Sequence, residues 1–277
     1  MEGANARFET GTYSFASGAE ILAGDLMVLA GANLASNTVV RSGSLRIFGS
    51  ATGNVENFST FRLDGGQLRG DLRNAGEGYL FTGTITGEVL NQGRFFANQD
   101  CYPYADECSP LASSRIDGNF TQTAEGSLWL TLGMPLQVTG TAGLDGTLHV
   151  VAQRFRLDAP YVLPGAGSSQ HLLHAAGGIS GTFDQWQSSG STGPGNGIFL
   201  EGALRYTGTD LYFDVTRASL QATMASASIG GASSLTSAGN LDNAFSAADG
   251  FSQLPQASLT PTQRRFLASA ASIQHID

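Results

Sequence analysis

Two of the four histidines, His171 and His174, stand three residues apart in the segment QHLLHA. On a helix, that spacing would offer two nitrogen ligands to one metal ion. The flanking pattern is that of a strand, however, and in a strand an interval of three residues places the side chains on opposite faces. The sequence therefore predicts no metal site at this pair. The regular alternation around His149 predicts a half-buried or solvated strand residue.

Serine and acidic residues form no recognisable catalytic group. The G-x-S-x-G nucleophile elbow is missing from the sequence, so no serine hydrolase is predicted within the chain. Neither the calcium-binding nonapeptide nor an EF-hand loop occurs. Glu56, Asp71 and Glu88 could form an acidic file along a stack of coils, although solvated corner residues explain them more simply. We therefore predict no catalytic, cofactor-binding or metal-binding residues, and no enzyme activity in the chain.

The only two cysteines, Cys101 and Cys108, lie seven residues apart in CYPYADEC. A disulfide between them would close a local loop and would imply an oxidising compartment. The alternative is a pair of free thiols in a surface loop. A metal site would need further ligands, and no histidine lies nearby. We favour the disulfide.

Composition excludes several kinds of partner. The 277 residues carry a net charge of −9, and all 14 basic residues are arginine. We predict no nucleic acid partner, because binding to phosphate needs a basic surface. Anionic lipid should repel a chain of this charge. The first twenty residues lack the basic start and apolar core of a secretory signal, so a signal of an exported protein is expected upstream.

A short phrase repeats at an interval of 17 residues. Asn57, Asn74 and Asn91 recur at this interval, as do Val55, Leu72 and Val89. Such an interval fits one coil of a β-solenoid, which buries its apolar side only by stacking on the next coil. The repeated Val or Leu is predicted to face the core. The repeated Asn is predicted to lie at a corner, where its tolerance of a positive φ would allow the bend.

The chain divides into segments that differ in composition and in the length of their strands. Residues 1–127 are predicted to form coils, with 98–115 ejected as a loop that leaves the stack intact. Residues 128–217 have longer strands and are predicted to form the last coils and a β cap, since a stack needs its open end covered. Residues 218–256 are rich in Ala and Ser and predict a flexible linker or a weak helix. Residues 257–277 predict an amphipathic helix with Thr260 as its N-cap.

The Gly-x-Val/Leu-x-Asn coils resemble the passenger β-helix of bacterial autotransporters, the type V secreted proteins. The blocks GSLWLTLG, LQVTGTAGLDGTLHVV, YVLPGAGSSQHLLHAAGGISGTFDQW and ALRYTGTDLYFDVTR are similar to the autochaperone region of such passengers. LTPTQRRFLASAASI is similar to the helix that enters their translocator barrel, with Thr262 where Asn is usual. The opening TGTYSF and the coils look most like the stem that follows a subtilisin-like protease domain.

The resemblance implies an all-β, right-handed parallel β-helix with a C-terminal β cap, a linker and a short α-helix. It implies a non-catalytic stem and autochaperone at the surface of a Gram-negative bacterium or outside it, with a monomeric chain. The expected partners are an upstream passenger domain, a downstream outer-membrane barrel and the outer-membrane assembly machinery. The residues expected to form the folding core are apolar: Val55, Leu72, Val89, Trp129, Leu130, Leu148, Val150, Phe183, Trp186, Leu204, Tyr206, Leu211 and Phe213.

Two other functions remain open from the sequence. An adhesin or glycan-binding solenoid would need an exposed file of aromatic rings or an acidic groove on one face. A polysaccharide-cleaving β-helix would need a catalytic cluster, which the sequence does not indicate.

Overall fold

A computed structural model describes residues 5–97, 114–151, 169–189, 200–217, 219–252 and 258–265. The chain is mostly β and forms a parallel β-solenoid of about seven turns, with a short helix after the strands. The predicted fold class is thus confirmed. The chain divides into two compact units, one of Met1–Tyr161, His171–Gln187 and Tyr206–Tyr212, the other of Val162–Gln170, Ser188–Arg205 and Phe213–Asp277.

The strands follow one another coil by coil. They are β1 (Ala6–Ser14) and β2 (Ala19–Ile21); β3 (Asp25–Ala35) and β4 (Thr38–Val40); β5 (Ser44–Ile47), β6 (Ser50–Thr52) and β7 (Val55–Asn57); β8 (Thr60–Asp64), β9 (Gln67–Arg69) and β10 (Leu72–Asn74); β11 (Glu77–Phe81), β12 (Thr84–Thr86) and β13 (Val89–Asn91); β14 (Arg94–Ala97), β15 (Arg115–Asp117) and β16 (Phe120–Gln122); β17 (Ser127–Thr131), β18 (Leu136–Val138) and β19 (Ala142–Leu144); β20 (Thr147–Val151), β21 (Ser169–Ala175) and β22 (Ile179–Gly181); then β23 (Gln185–Ser189), β24 (Leu200–Tyr206) and β25 (Asp210–Arg217).

Each regular coil has three strands, and equivalent strands of successive coils pair in parallel to make three faces. Face 1 contains β5, β8, β11, β14, β17 and β20; face 2 contains β6, β9, β12, β15, β18 and β21; face 3 contains β2, β4, β7, β10, β13, β16, β19 and β22. Leu72 lies beside Val55 of one neighbouring coil and Val89 of the other. The interval of 17 residues is therefore the length of one coil, as predicted.

The interruption after β14 leaves the stack continuous. β15 pairs in parallel with β12, with Ile116 beside Ile85. Ile85 and Ile116 are both fully buried, so the core layer also continues. The predicted cysteine loop, including Cys101 and Cys108, lies outside the described residues except at its end, where Ser114 and Arg115 rejoin the coil.

The glycine that opens each repeated phrase is required by close contact between coils. Gly70 has a φ of +153°, which L side chains rarely adopt, and Gly87 has +152°. A Cβ atom added at Gly70 would lie 2.3 Å from the carbonyl oxygen of Gly53 in the neighbouring coil. No real Cβ contact is that short, so only glycine permits this spacing.

The repeated asparagines form a ladder inside the solenoid. Asn57, Asn74 and Asn91 are each 0% exposed. The Nδ2 of Asn57 donates to the Oδ1 of Asn74 at 2.7 Å, and the Nδ2 of Asn74 donates to the Oδ1 of Asn91 at 2.9 Å. The prediction of a positive φ for these residues is wrong. They end the strands of face 3 with their side chains inward, two positions after the buried Val or Leu, so strand alternation places both in the core.

Gln122 ends the ladder toward the C-terminal coils. Its Oε1 accepts from the Nδ2 of Asn91 at 2.9 Å. Its Nε2 donates to the carbonyl oxygens of Asp145 at 2.6 Å and Thr147 at 3.2 Å. The longer Gln122 side chain thus reaches the backbone of the next coil, where the ladder of side chains ends. Each side-chain amide along this row has hydrogen-bond partners.

The second unit contains two helices in the segment for which the sequence predicts a flexible linker or a weak helix. They are α1 (Leu220–Ser226) and α2 (Ala232–Ser252). Ser219 caps α1, and the carboxylate of Asp242 accepts from the backbone N–H groups of Leu220 at 2.8 Å and Gln221 at 3.0 Å. The carboxylate from α2 thus satisfies backbone N–H groups in the first turn of α1 and stabilises the start of that helix.

The predicted N-cap at Thr260 is present. Residues 261–265 are helical, the N–H of Gln263 donates to the Oγ1 of Thr260 at 3.3 Å, and the Oε1 of Gln263 accepts from the N–H of Thr260 at 2.8 Å. This is a reciprocal capping box. The rest of the predicted amphipathic helix, residues 266–277, lies outside the described residues.

Candidate functional site

The segment 206–212 covers the edge of the last coil of the first unit. The N–H of Ala175 donates to the carbonyl oxygen of Thr209 at 2.8 Å, and the N–H of Ile179 donates to that of Gly208 at 2.8 Å. The N–H of Phe183 donates to the hydroxyl oxygen of Tyr206 at 3.2 Å. An uncovered edge of this kind would present free backbone groups to solvent or to another chain. The segment therefore acts as a cap at this edge.

His171 and His174 lie on the same side of β21, contrary to the prediction of opposite faces. Between them, Leu172 and Leu173 are both fully buried, which breaks the alternation. Because two consecutive residues face the core, the residue after them, His174, faces outward on the same side as His171. The two imidazole rings lie 6.2 Å apart, almost perpendicular to each other.

Asp210, from the capping segment, joins these two histidines. Its Oδ1 lies 2.9 Å from the Nε2 of His171 and 2.8 Å from the Nδ1 of His174. Its Oδ2 accepts from the hydroxyl of Thr209 at 2.6 Å. The bond from Thr209, aided by His174, holds the pKa of the Asp210 carboxyl below its ordinary value. We call these three residues, His171, His174 and Asp210, the HHD cluster.

The HHD cluster is partly open to solvent and held from several sides. The side chains of His171, His174 and Asp210 are 33%, 37% and 20% exposed. The Tyr212 ring stacks on His171 with centroids 4.9 Å apart. The turn is closed by a bond from the Asp210 N–H to the Thr207 Oγ1 at 2.8 Å. Two imidazoles and a carboxylate that converge in this way are of the types that could hold a metal ion.

A file of aromatic rings runs along the outside of face 1. Tyr79, Phe96, Trp129 and His149 occupy the same register in successive coils. The ring centroids lie 4.6 Å apart for Tyr79 and Phe96, 4.4 Å for Phe96 and Trp129, and 4.0 Å for Trp129 and His149. The rings therefore stack along the solenoid and cover one another's faces. Burial and the charge of Arg94 lower the pKa of His149.

The acidic residues of the repeated phrase form an outer ladder at a corner. The Oδ1 of Asn54 accepts from the N–H of Asp71 at 2.9 Å, and the Oδ1 of Asp71 accepts from the N–H of Glu88 at 2.8 Å. Glu56 occupies a different register, beside Arg73. These exposed side chains bond to the backbone of the neighbouring coil, so they complete the corner and do not converge as catalytic carboxylates would.

Most residues expected in the folding core are buried. Less than a tenth of the residue is exposed at Val55, Leu72, Val89, Leu130, Leu148, Val150, Phe183, Leu211 and Phe213. The half-buried members are Trp129, Trp186, Leu204 and Tyr206. The expectation of Trp129 in the core is wrong, because Leu130 beside it points inward and alternation turns Trp129 outward into the aromatic file.

A serine and an aspartate also meet in the second unit. The Oγ of Ser169 donates to the Oδ1 of Asp214 at 2.5 Å, and Arg205 donates to the same carboxylate at 2.7 Å. The hydrogen bond from Arg205 lowers the pKa of the Asp214 carboxyl. A serine nucleophile needs a base beside it. The described partners of Ser169 are Asp214 and Arg205, which form an ion pair with each other. The three side chains therefore link their strands by polar contacts.

Comparison with known proteins gives no family for this chain. A scan against models of protein families finds no match, and a search of characterised proteins finds none at a significant level. Among the helices of the described part of the chain, none is both long and apolar enough to cross a membrane.

Proposed function

We propose that the chain is a non-catalytic stem and folding nucleus of an autotransporter passenger, exported to the bacterial surface and attached to an upstream effector domain. The observation that carries this proposal is the covered edge of the coil β20–β22, next to a row of coils that template one another. The resemblance of the C-terminal blocks to autochaperone regions supports the same function.

The coils stack in register, with equivalent strands paired in parallel. Each coil buries its apolar side and its asparagine only when a neighbour is in place, so the free energy of folding comes largely from contacts between coils. The first coil to fold loses conformational entropy and gains few contacts, because no neighbouring coil is yet in place. The end that the segment 206–212 closes has extra hydrogen bonds and buries Leu211 completely. Folding that begins there and adds coils toward the N-terminus would hold an exported chain outside.

A matched pair of double variants tests this proposal. Leu148 and Val150 lie in face 1 near the cap, and Leu45 and Ile47 lie in face 1 near the other end; all four are 0% exposed. Truncation of either pair to Ala should cost about 5 kcal/mol. The chain would be placed before an autotransporter barrel in a Gram-negative host, and protease-resistant passenger on the cell surface would be measured.

The proposal expects different outcomes for the two pairs. Leu148→Ala with Val150→Ala should abolish most folded surface passenger, because the nucleus is lost. Leu45→Ala with Ile47→Ala should leave the C-terminal coils resistant to protease. Equal losses from both pairs, or normal display of the first, would contradict a nucleus at the cap.

The aromatic file is the feature that a second candidate function, glycan binding by an adhesin-like solenoid, would use. Polar side chains of Glu77, Arg94 and Ser127 run beside the file on the same face. Sugars stack on the exposed faces of aromatic rings, however, and in this file each ring covers the next. A glycan array with the purified chain and with Trp129→Ala decides the matter: binding that the variant loses would establish this function in place of the stem.

A further inference from the structure

We propose that the HHD cluster is a binding site for one divalent transition-metal ion, with Zn²⁺ as the best-suited ion. The ligand atoms are the Nε2 of His171, the Nδ1 of His174 and the Oδ1 of Asp210. All of them lie within 4.8 Å of one another. The inference stands on this geometry and does not depend on the proposed function.

The distances fit a site that closes on itself by hydrogen bonds when no metal is bound. The two nitrogens lie 2.9 and 2.8 Å from the shared carboxylate oxygen. Zinc binds such ligands at about 2.0–2.2 Å, which sets tetrahedral ligands roughly 3.4 Å apart. Each nitrogen would therefore have to move about half an ångström away from the Oδ1 of Asp210 to leave room for the ion. The two nitrogens, which lie within 4.8 Å of each other, would have to settle at the same spacing. Each imidazole would then carry its proton on the ring nitrogen that does not bind the metal. The ion would replace the hydrogens that lie between the imidazoles and the Oδ1 of Asp210.

The surroundings orient the ligands. The hydroxyl of Thr209 holds the second oxygen of Asp210 at 2.6 Å and leaves the first for the ion. Tyr212 stacks on His171 and fixes the plane of its ring. Such partners of metal ligands set their tautomer and direction. The partial exposure of all three side chains gives an ion a way in and leaves the fourth position to water.

The identity of the ion follows from the ligand atoms. Two neutral imidazole nitrogens and one carboxylate favour Zn²⁺, Ni²⁺ or Cu²⁺ over Mg²⁺ and Ca²⁺, which prefer oxygen ligands alone. The histidines belong to β21 and the aspartate to the capping segment. A bound ion would therefore join the cap to the last coil and stabilise the closed edge.

The test measures metal binding by the whole chain, purified without a histidine tag and stripped with a chelator. Titration with ZnCl₂ should give one ion per chain by calorimetry and by atomic emission after dialysis. The midpoint of thermal unfolding should rise by about 5 °C at saturating Zn²⁺. Mg²⁺ at the same concentration should bring no rise.

Variants locate the site. His171→Gln and His174→Gln should each weaken Zn²⁺ binding at least about tenfold, and the double variant should lose the ion. His149→Gln is the matched control, since it removes an imidazole from face 1, and it should bind as the wild type does. Circular dichroism of each variant would confirm the β content, and Co²⁺ bound to the wild type should show a visible spectrum without a thiolate band.

Three results would overturn the proposal. They are no binding at tens of micromolar Zn²⁺, equal binding by the double variant, and a thiolate band that assigns the ion to Cys101 and Cys108. In the first case the HHD cluster is a hydrogen-bonded clasp of the cap only.

Discussion

Truncation of Asn74 to Ala removes the middle member of the interior ladder. Asn74 is completely buried, and its amide is bonded on both sides. The Oδ1 accepts from Asn57 at 2.7 Å, while the Nδ2 donates to the Oδ1 of Asn91 at 2.9 Å and to the carbonyl oxygen of Arg94 at 2.9 Å. The substitution therefore breaks these three short hydrogen bonds, together with a longer one from the Nδ2 to the carbonyl oxygen of Gly76 at 3.3 Å.

The magnitude follows from these bonds. A buried hydrogen bond contributes a net stability of about 1 kcal/mol, so three lost bonds cost about 3 kcal/mol. The Oδ1 of Asn91 and the carbonyl oxygen of Arg94 then stay buried with fewer hydrogen bonds. This raises the expected loss in the free energy of unfolding to about 3–5 kcal/mol. Asn54→Ala is the matched control: Asn54 belongs to the exposed outer ladder, where water replaces the lost bond, and it should cost at most about 1 kcal/mol.

Equilibrium denaturation by urea, followed by circular dichroism and tryptophan fluorescence, measures both variants. Coincidence of the two signals would show whether the coils unfold together. Native-state hydrogen exchange would show whether the loss is confined to β7, β10 and β13. A free-energy loss for Asn74→Ala no larger than that for Asn54→Ala would refute the assignment of the ladder as a main source of stability.

Other substitutions test the coil contacts, the aromatic file and the cap. Gly70→Ala should destabilise the chain by at least about 2 kcal/mol in urea denaturation, because its Cβ would meet backbone of the neighbouring coil at 2.3 Å, whereas Gly208→Ala, with open space around it, should be tolerated. Since its pKa is lowered in the folded state, His149 contributes stability that is present above about pH 6.5 and is lost as the pH falls toward the folded value; His149→Phe should remove this part of the pH dependence of thermal unfolding. Tyr206→Phe should cost about 1 kcal/mol, because the backbone N–H of Phe183 loses its partner, and a cost near zero would mean that this bond does not hold the cap.

The coil architecture could be predicted because its causes are local and periodic. The interval of 17 residues places Val55, Leu72 and Val89 in one register, and the structure pairs them so. Alternation along the strand also implies that Asn57 shares the inward side with Val55. The preference of Asn for turns led to the wrong interpretation, because the ladder only becomes favourable when an identical amide lies in the next coil.

The HHD cluster could not be predicted from the sequence, because it depends on two events that are not local. One is the break in alternation at Leu172 and Leu173, which brings His171 and His174 to one side. The other is the return of the chain after β24, which places Asp210 beside them from 36 residues away. Strict alternation, the rule that served for the regular coils, gave the wrong answer where the last coil meets its cap.

We propose that the capped C-terminal coils fold first and template the others. Pulsed hydrogen exchange during refolding of the purified chain, read by mass spectrometry of peptides from each coil, tests it most directly. We expect protection first in β17–β22 and last in β3–β7, with protection advancing coil by coil. Early protection of β3–β7, or simultaneous protection of all coils, would contradict it.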